Sequence, residues 1–356
     1  MIRKMTVIFP FKIKGKGILP GLGQLFKKNF IEAPYIMSIT GGTGTLKTTI
    51  CLSFMDKMLE ETKNSTVVYA TFEQTERSLK KAIKNMEFTK ELSKGEKAGF
   101  EIWDIGKMVK ENKERFKIVK KIMKKHHGKT YKELKKVIDK QFSKESDESF
   151  KKFVLLKKAY ELVIVELGKK GSELKPEQAR NMLRKEGVPH EYVVKVWPLE
   201  SKEPVEPKAT IDYPEMIKAN IIEQYKENEG DNFRVLCIDS LHALYMKMVE
   251  EMHERNVPNP ETKVRHELIK LMRDLEDYDL ITFIIAEAGE LDKKLLLKQE
   301  FLSDGIIHLA RTKKGERTIM IKKMREMGHE HGEYALKIKS TDDDKKIASI
   351  KIMGSL

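Results

Sequence analysis

The chain has 356 residues, 40% hydrophobic and 35% charged, with a formal net charge of +14. That apolar share supplies a core and excludes global disorder, while two cysteines exclude a disulfide framework or a multi-cysteine zinc site. No apolar run reaches the ~20 residues of a membrane span, and Met1-Ile2-Arg3-Lys4 opens no secretory signal, so a soluble, cytoplasmic, basic protein without membrane association is expected.

Short apolar runs alternate with helical patterns, the signature of an α/β fold with a mainly parallel central sheet flanked by helices. Tyr35–Thr40 reads as the first strand, and Gly41-Gly42-Thr43-Gly44-Thr45-Leu46-Lys47-Thr48-Thr49 follows it directly. Ile50, Leu52, Phe54, Met55, Met58 and Leu59 then give a helix its apolar positions. Strand, glycine-rich turn, Lys-Thr and helix is the arrangement of a phosphate-binding loop. Backbone N–H groups of the loop and the helix N-terminus hold phosphate oxygens, so Gly42, Thr43, Gly44, Thr45, Leu46, Lys47, Thr48 and Thr49 are candidate ATP-binding residues. Lys47 is expected to reach the β- and γ-phosphates and the Thr48 hydroxyl to ligate Mg²⁺. Leu46 stands where the motif has glycine; a leucine there is expected to keep a negative φ and hold its side chain clear of the phosphates.

The second strand, Thr66–Thr71, ends in Phe72-Glu73-Gln74. Beyond it a lysine-rich stretch begins. Between Lys107 and Lys170 there are 20 Lys and 1 Arg against 7 Glu and 2 Asp, a surplus of +12 out of the whole-chain +14. Phe116, Val119, Ile122 and Met123, then Leu134, Val137, Ile138 and Phe142, recur at helical spacing, with Gly128 and the Ser143–Ser149 cluster as breaks. These lysines are either solvated helix faces or the footprint of a nucleic acid or another polyanion, such as an acidic protein. Lys175–Tyr192 has a helix–turn–helix outline, with Pro176 opening one helix, Gly187 ending it and a second starting near Pro189. Pro198, Pro204 and Pro207 mark a linker. The expected organisation is a core in two parts, 1–105 and 209–356, interrupted by a helical basic insertion at 106–208.

Two further strands end in carboxylates: Phe233–Ile238 in Asp239-Ser240, and Leu280–Ala286 in Glu287. In a parallel sheet such residues gather along one edge, beside the phosphate loop. Asp239 then has the position of a Walker B carboxylate, holding Mg²⁺ directly or through water, and Glu73 is placed to polarise an attacking water at the γ-phosphate. Cys51, Cys237 and the methionines read as core. His126, His127, His329 and His331 lack metal-ligand spacing, Trp103 and Trp197 carry no binding argument, and Asp342–Lys346 reads as a hairpin turn.

These residues resemble the KaiC-like branch of the RecA superfamily of P-loop NTPases. Gly17-Ile18-Leu19-Pro20-Gly21-Leu22 is similar to that family's lead-in, Val68-Tyr69-Ala70-Thr71-Phe72-Glu73-Gln74 to its second strand, and Ile238-Asp239-Ser240-Leu241 to its Walker B strand. Arg265–Leu275 and Leu280–Glu287 look like its next helix and strand. Ser303–Leu309 followed by Ile319–Arg325 is similar to its closing strands. The resemblance spans about Gly15–Ile105 and Tyr213–Lys339. It implies an ATPase fold in which Glu73 is the catalytic carboxylate, with Gln74 replacing a second glutamate. It also implies that Lys323 and Arg325 reach the γ-phosphate of a neighbouring subunit, the protein working as a homo-oligomeric ring, commonly a hexamer. One P-loop excludes a tandem arrangement. Two other readings stand beside ATP hydrolysis: a non-hydrolysing ATP switch, which Leu46 and Gln74 favour, and an ATP-dependent DNA-binding protein that grips through the insertion.

Overall fold

The computed structural model describes residues 8–10, 12–13, 16–17, 30–61, 65–142, 148–170, 174–199, 201, 203–207, 212–227, 233–287, 289, 293–325, 328–341 and 347–355. Of the lead-in, only Gly17 lies within these residues; Ile18–Leu22 and the expected turn at Asp342–Lys346 fall outside them.

The chain packs into two units, residues 1–108 with 224–356, and residues 109–223. In the first unit, β1 (Ile8–Pro10) pairs with β4 (Phe30–Glu32) and β2 (Lys12–Ile13) with β3 (Lys16–Gly17). Nine further strands form the main sheet: β5 (Tyr35–Gly41), β6 (Thr66–Thr71), β7 (Phe100–Asp104), β8 (Phe233–Asp239), β9 (Ile281–Glu287), β10 (Gly305–Arg311), β11 (Arg317–Met324), β12 (Glu333–Ser340) and β13 (Ile347–Ser355). Their order is β13-β12-β11-β10-β5-β9-β8-β6-β7. The six strands from β10 to β7 are mutually parallel, and β11, β12 and β13 extend the sheet antiparallel. The expected mainly parallel sheet is therefore present, with an antiparallel margin.

Strands β5, β6 and β9 are almost wholly buried, which is why they read as unbroken apolar runs rather than alternating ones. One face, with Met37, Ile39, Tyr69, Cys237, Phe283 and Ile307, packs on helix α1 (Lys47–Glu61) through Ile50, Cys51, Phe54 and Met58. Helices α2 (Glu76–Lys84), α9 (Leu241–Glu254), α10 (Pro260–Glu276) and α11 (Lys293–Leu302), and a 3-10 helix at Leu92–Ala98, also belong to this unit. α2 begins at Thr75, whose hydroxyl accepts the Ser78 N–H, a side-chain N-cap.

The second unit is helical: most of α3 (Ile105–Lys125), α4 (Tyr131–Gln141), α5 (Glu148–Lys170), α6 (Pro176–Lys185), α7 (His190–Val196) and most of α8 (Tyr213–Glu227). Its core gathers Tyr131, Leu155, Ala159, Val163, Leu183, Val193 and Trp197. Thr130 and Glu133 close a capping box on α4. Gly187, at φ +81, ends α6, and a Cβ there would meet Lys132 at 2.7 Å. The apolar stripe of α4 (Tyr131, Leu134, Ile138) is buried, while Lys132, Lys135, Lys136 and Lys140 on its other side are exposed. Among the described residues no helix is long and apolar enough to cross a membrane.

Asp56, buried in the middle of α1, accepts the Leu92 N–H at 3.0 Å. Burial pushes its carboxyl up to about 6, against the pull of the Leu92 and Glu91 backbone N–H groups. An acid whose folded pKa is raised binds more protons folded than unfolded between about pH 4 and 6. Its contribution to stability is therefore full below about pH 4 and lost as pH rises through about 6. Asp56→Asn is expected to stabilise the chain by on the order of 1–2 kcal/mol at pH 7–8 and hardly at all at pH 4. Paired melting curves of the two proteins between these pH values measure it; a gap that stays constant with pH contradicts the assignment.

Candidate nucleotide site

The carboxyl ends of four parallel strands meet at one edge of the sheet. Gly41 lies beside Glu287, Asp239 beside Ile285, and Thr71 beside Asp239, so the register alone brings the loop after β5 next to Asp239, Glu287 and the turn that carries Glu73. The backbone of that turn is held to the next strand by the Phe72 N–H, which donates to the Asp239 carbonyl at 2.8 Å.

Residues 41–46 lead from β5 into α1. A Cβ at Gly41 would lie 2.2 Å from the Leu309 carbonyl, so only glycine lets β10 approach so closely. Gly44 adopts φ +70, and its carbonyl accepts from Arg311 at 2.9 Å and Arg317 at 3.4 Å. The Thr45 hydroxyl donates to the Gly42 carbonyl at 2.8 Å, closing the loop on itself. Leu46 departs from expectation. Its φ is +77, not negative. The loop must turn through the left-handed region there before α1 begins, and the Ile50 N–H closes the first helical bond on the Leu46 carbonyl at 2.9 Å. The cost of that conformation is about 1–2 kcal/mol for a non-glycine residue. The Leu46 side chain is half-buried and packs against the hydrophobic core, which offsets that cost.

α1 begins at Lys47, earlier than the apolar pattern suggested, so Lys47 and Thr48 occupy its first turn. Lys47 is 7% exposed; its ammonium donates to the Gly42 carbonyl at 2.9 Å and to Glu287 at 3.2 Å. The Thr48 hydroxyl donates to Asp239 at 3.0 Å. Cis ligands of an octahedral Mg²⁺ with 2.0–2.1 Å bonds stand about 3 Å apart, so this oxygen pair has the span and the hard-donor chemistry that Mg²⁺ requires. Tyr69, fully buried on β6, donates its hydroxyl to the same Asp239 oxygen. Burial raises the Asp239 carboxyl above its ordinary value while the Tyr69 and Thr48 hydrogen bonds oppose that rise. Burial and the adjacent carboxylate push the Tyr69 hydroxyl well up, so it remains a donor. Glu73 is exposed and accepts from the Ser240 hydroxyl at 2.7 Å. That same Ser240 oxygen accepts the Ala243 N–H and caps α9. Thr43 and Thr49 sit in the loop and first helical turn as expected, with Thr43 exposed.

Lys323 and Arg325 come together, but away from this edge. Lys323 lies opposite Ile306 in the β10–β11 pair, and Ile306 lies beside Ser38, three residues before the end of β5. Lys323 donates to the carbonyls of Glu300 and Phe301, both at 3.1 Å, and of Ser303. Arg325 donates to the Phe301 carbonyl and pairs with Asp304, each at 3.0 Å. Within one chain both cations cap the carbonyl end of α11, where the helix dipole favours positive charge. Burial and the Arg325 guanidinium lower the Lys323 amine below the ordinary lysine range.

Residues 194–344 match the family model described as "ATPase: KaiC". No curated protein matches the chain. Among solved structures, a KaiC-like protein from the hyperthermophilic archaeon Pyrococcus horikoshii OT3 superposes with a TM-score of 0.52 at 18% identity, over 95% of this chain and 98% of that one. The C-terminal part of the chain is thus similar to a KaiC-type ATPase, and the fold as a whole is like that of the archaeal KaiC-like protein. The matched segment contains Asp239, Glu287, Lys323 and Arg325 but starts after the phosphate loop. The loop is recognised instead by its glycine-rich sequence and its place between β5 and α1.

Sequence reasoning missed Tyr69, Ser240, Arg311 and Arg317 as members of this neighbourhood. Arg311 and Arg317 face each other across the β10–β11 hairpin, and the hairpin's return toward the loop was the available signal. Tyr69 two residues before the strand end and Ser240 directly after Asp239 leave no local mark of their contacts. Among the described residues no group of three or more His, Cys, Asp or Glu side chains is arranged to hold a metal ion.

Proposed function

We propose that this protein binds ATP with Mg²⁺ and hydrolyses it. The observation that carries the reading is the convergence of Lys47, Thr48 and Asp239 at the carboxyl edge of the sheet, with the Thr48 and Asp239 oxygens 3.0 Å apart. The loop N–H groups from Gly42 to Thr49 would hold the phosphates, and the Lys47 ammonium would meet the β- and γ-oxygens. Thr48 and Asp239 would hold Mg²⁺, which when bound neutralises charge developing on the transferred phosphoryl group. Glu73 projects from the turn after β6 and, oriented by Ser240, accepts a hydrogen bond from the attacking water. Lys323 and Arg325 stand at a level of the sheet below their own loop, which supports action on the nucleotide of a neighbouring chain in a homo-oligomeric ring, a hexamer by the resemblance.

Phosphate release by the intact protein and by Glu73→Gln tests this. Glu73→Gln is expected to lose at least ~100-fold in turnover while keeping ATP affinity, since general-base help is worth about 10²–10⁴. Equal turnover in the two proteins removes Glu73 from the mechanism. Intact protein that binds ATP without releasing phosphate is instead a nucleotide switch.

A second reading concerns the insertion, placed at 106–208. Residues 109–223 carry 28 Lys and Arg against 19 Asp and Glu, and the α4 lysines stand exposed beside a buried apolar stripe. Such a face suits nucleic acid or an acidic protein. Binding to duplex DNA is expected to weaken about 40-fold or more between 50 and 200 mM salt if three or more phosphates are contacted. Binding that ignores salt, or none at 50 mM, rejects the nucleic-acid partner.

A further inference from the structure

The two cysteines of the chain, read from sequence as separate core residues, meet. The Cys51 and Cys237 sulfurs lie 3.2 Å apart, and neither residue has any exposed surface. Cys51 is on α1, one turn past Lys47; Cys237 is on β8, two residues before Asp239. We propose that Cys51 and Cys237 are a redox pair that closes a disulfide between the phosphate-loop helix and the Walker B strand.

The sulfurs need approach by only about 1.2 Å to reach the S–S bond length. Their elements already pack together, α1 lying against β8, and the pair sits in one continuous core with Met55, Tyr69 and Phe283. With hydrogen peroxide as the oxidant the chemistry closes. One sulfur attacks a peroxide oxygen and breaks the O–O bond, giving a sulfenic acid and one water. The second sulfur then attacks the first and breaks the S–O bond, releasing another water. Two thiols lose two electrons and two protons, and one peroxide becomes two waters. The site differs from a surface redox sensor because it is sealed by the core, so oxidant enters through local opening or before the core has closed. Once formed, the bond spans the two elements that carry Thr48 and Asp239, so it secures their mutual placement against thermal opening.

The test uses the full chain, reduced and then treated with hydrogen peroxide in two ways: in the folded state, and during refolding from denaturant so that access no longer limits the reaction. After quenching, the protein is denatured and its thiols are labelled with a maleimide. The reduced chain takes up two labels. The refolded, oxidised chain is expected to take up none, to stay monomeric on a non-reducing gel, and to yield a single peptide joining Cys51 to Cys237. Its melting temperature is expected to rise by several degrees and to fall back on reduction. Cys237→Ala is expected to show no such reversible rise. Two labels after oxidative refolding, chains linked to one another, or cysteines oxidised to sulfinic acid without a linking peptide would overturn the proposal.

Discussion

Lys47→Ala is expected to weaken ATP binding at least ~100-fold, equivalent to about 3 kcal/mol. The Lys47 ammonium is almost completely buried, held at the mouth of the loop by the Gly42 carbonyl and Glu287. A charge-assisted contact to phosphate in such a place is worth more than one in water, because little solvent screens it. The substitution also leaves the Glu287 carboxylate facing the phosphates without the lysine between them, adding like-charge repulsion to the lost attraction. Arginine does not substitute well here, since its larger planar fork replaces a point charge in a tight space. Equilibrium titration with a fluorescent ATP analogue reads the effect, and a melting curve checks that the variant folds. Unchanged affinity in a folded variant would remove the loop from the account.

Replacing Lys323 and Arg325 together by alanine is expected to cut turnover about 10³-fold with ATP binding retained, in the range by which cations at the γ-phosphate accelerate such reactions. In their own chain both side chains cap α11, so the double variant also loses some thermal stability. Mixing separates the two roles. A chain with the double substitution keeps an intact loop and Glu73; a Lys47→Ala chain keeps the cation pair. If the pair acts on a neighbour's nucleotide, mixed rings regain turnover that neither protein has alone. If the pair only caps α11, mixing restores nothing.

Much of this site was legible because parallel strands buried on both faces write themselves as apolar runs, and the first polar residue after each run marks the working edge. Thr71, Asp239 and Glu287 end β6, β8 and β9, and the register then sets them beside one another. Gly187 and the α6–α7 hairpin were legible for a similar reason, since Pro176 and Gly187 have direct backbone meanings. Leu46 misled because a missing glycine reads as a changed backbone, whereas the loop kept its left-handed turn and the core compensated the leucine. The Tyr69 partner of Asp239 and the Ser240 partner of Glu73 were not legible. Tyr69 reaches Asp239 across a pair of strands and Ser240 reaches Glu73 over 167 positions of sequence, contacts set by sheet order alone. The meeting of Cys51 and Cys237 is of the same kind, requiring both the face of α1 and the position of β8 in the sheet.

The most direct measurement is phosphate release from ATP by the intact protein, with and without Mg²⁺, as chain concentration is raised. The account predicts release that requires Mg²⁺ and whose rate per chain climbs with concentration until the assembly is complete, because each site needs cations from its neighbour. Bound ATP with no release at any concentration, or release at a constant rate per chain without the metal, would contradict it.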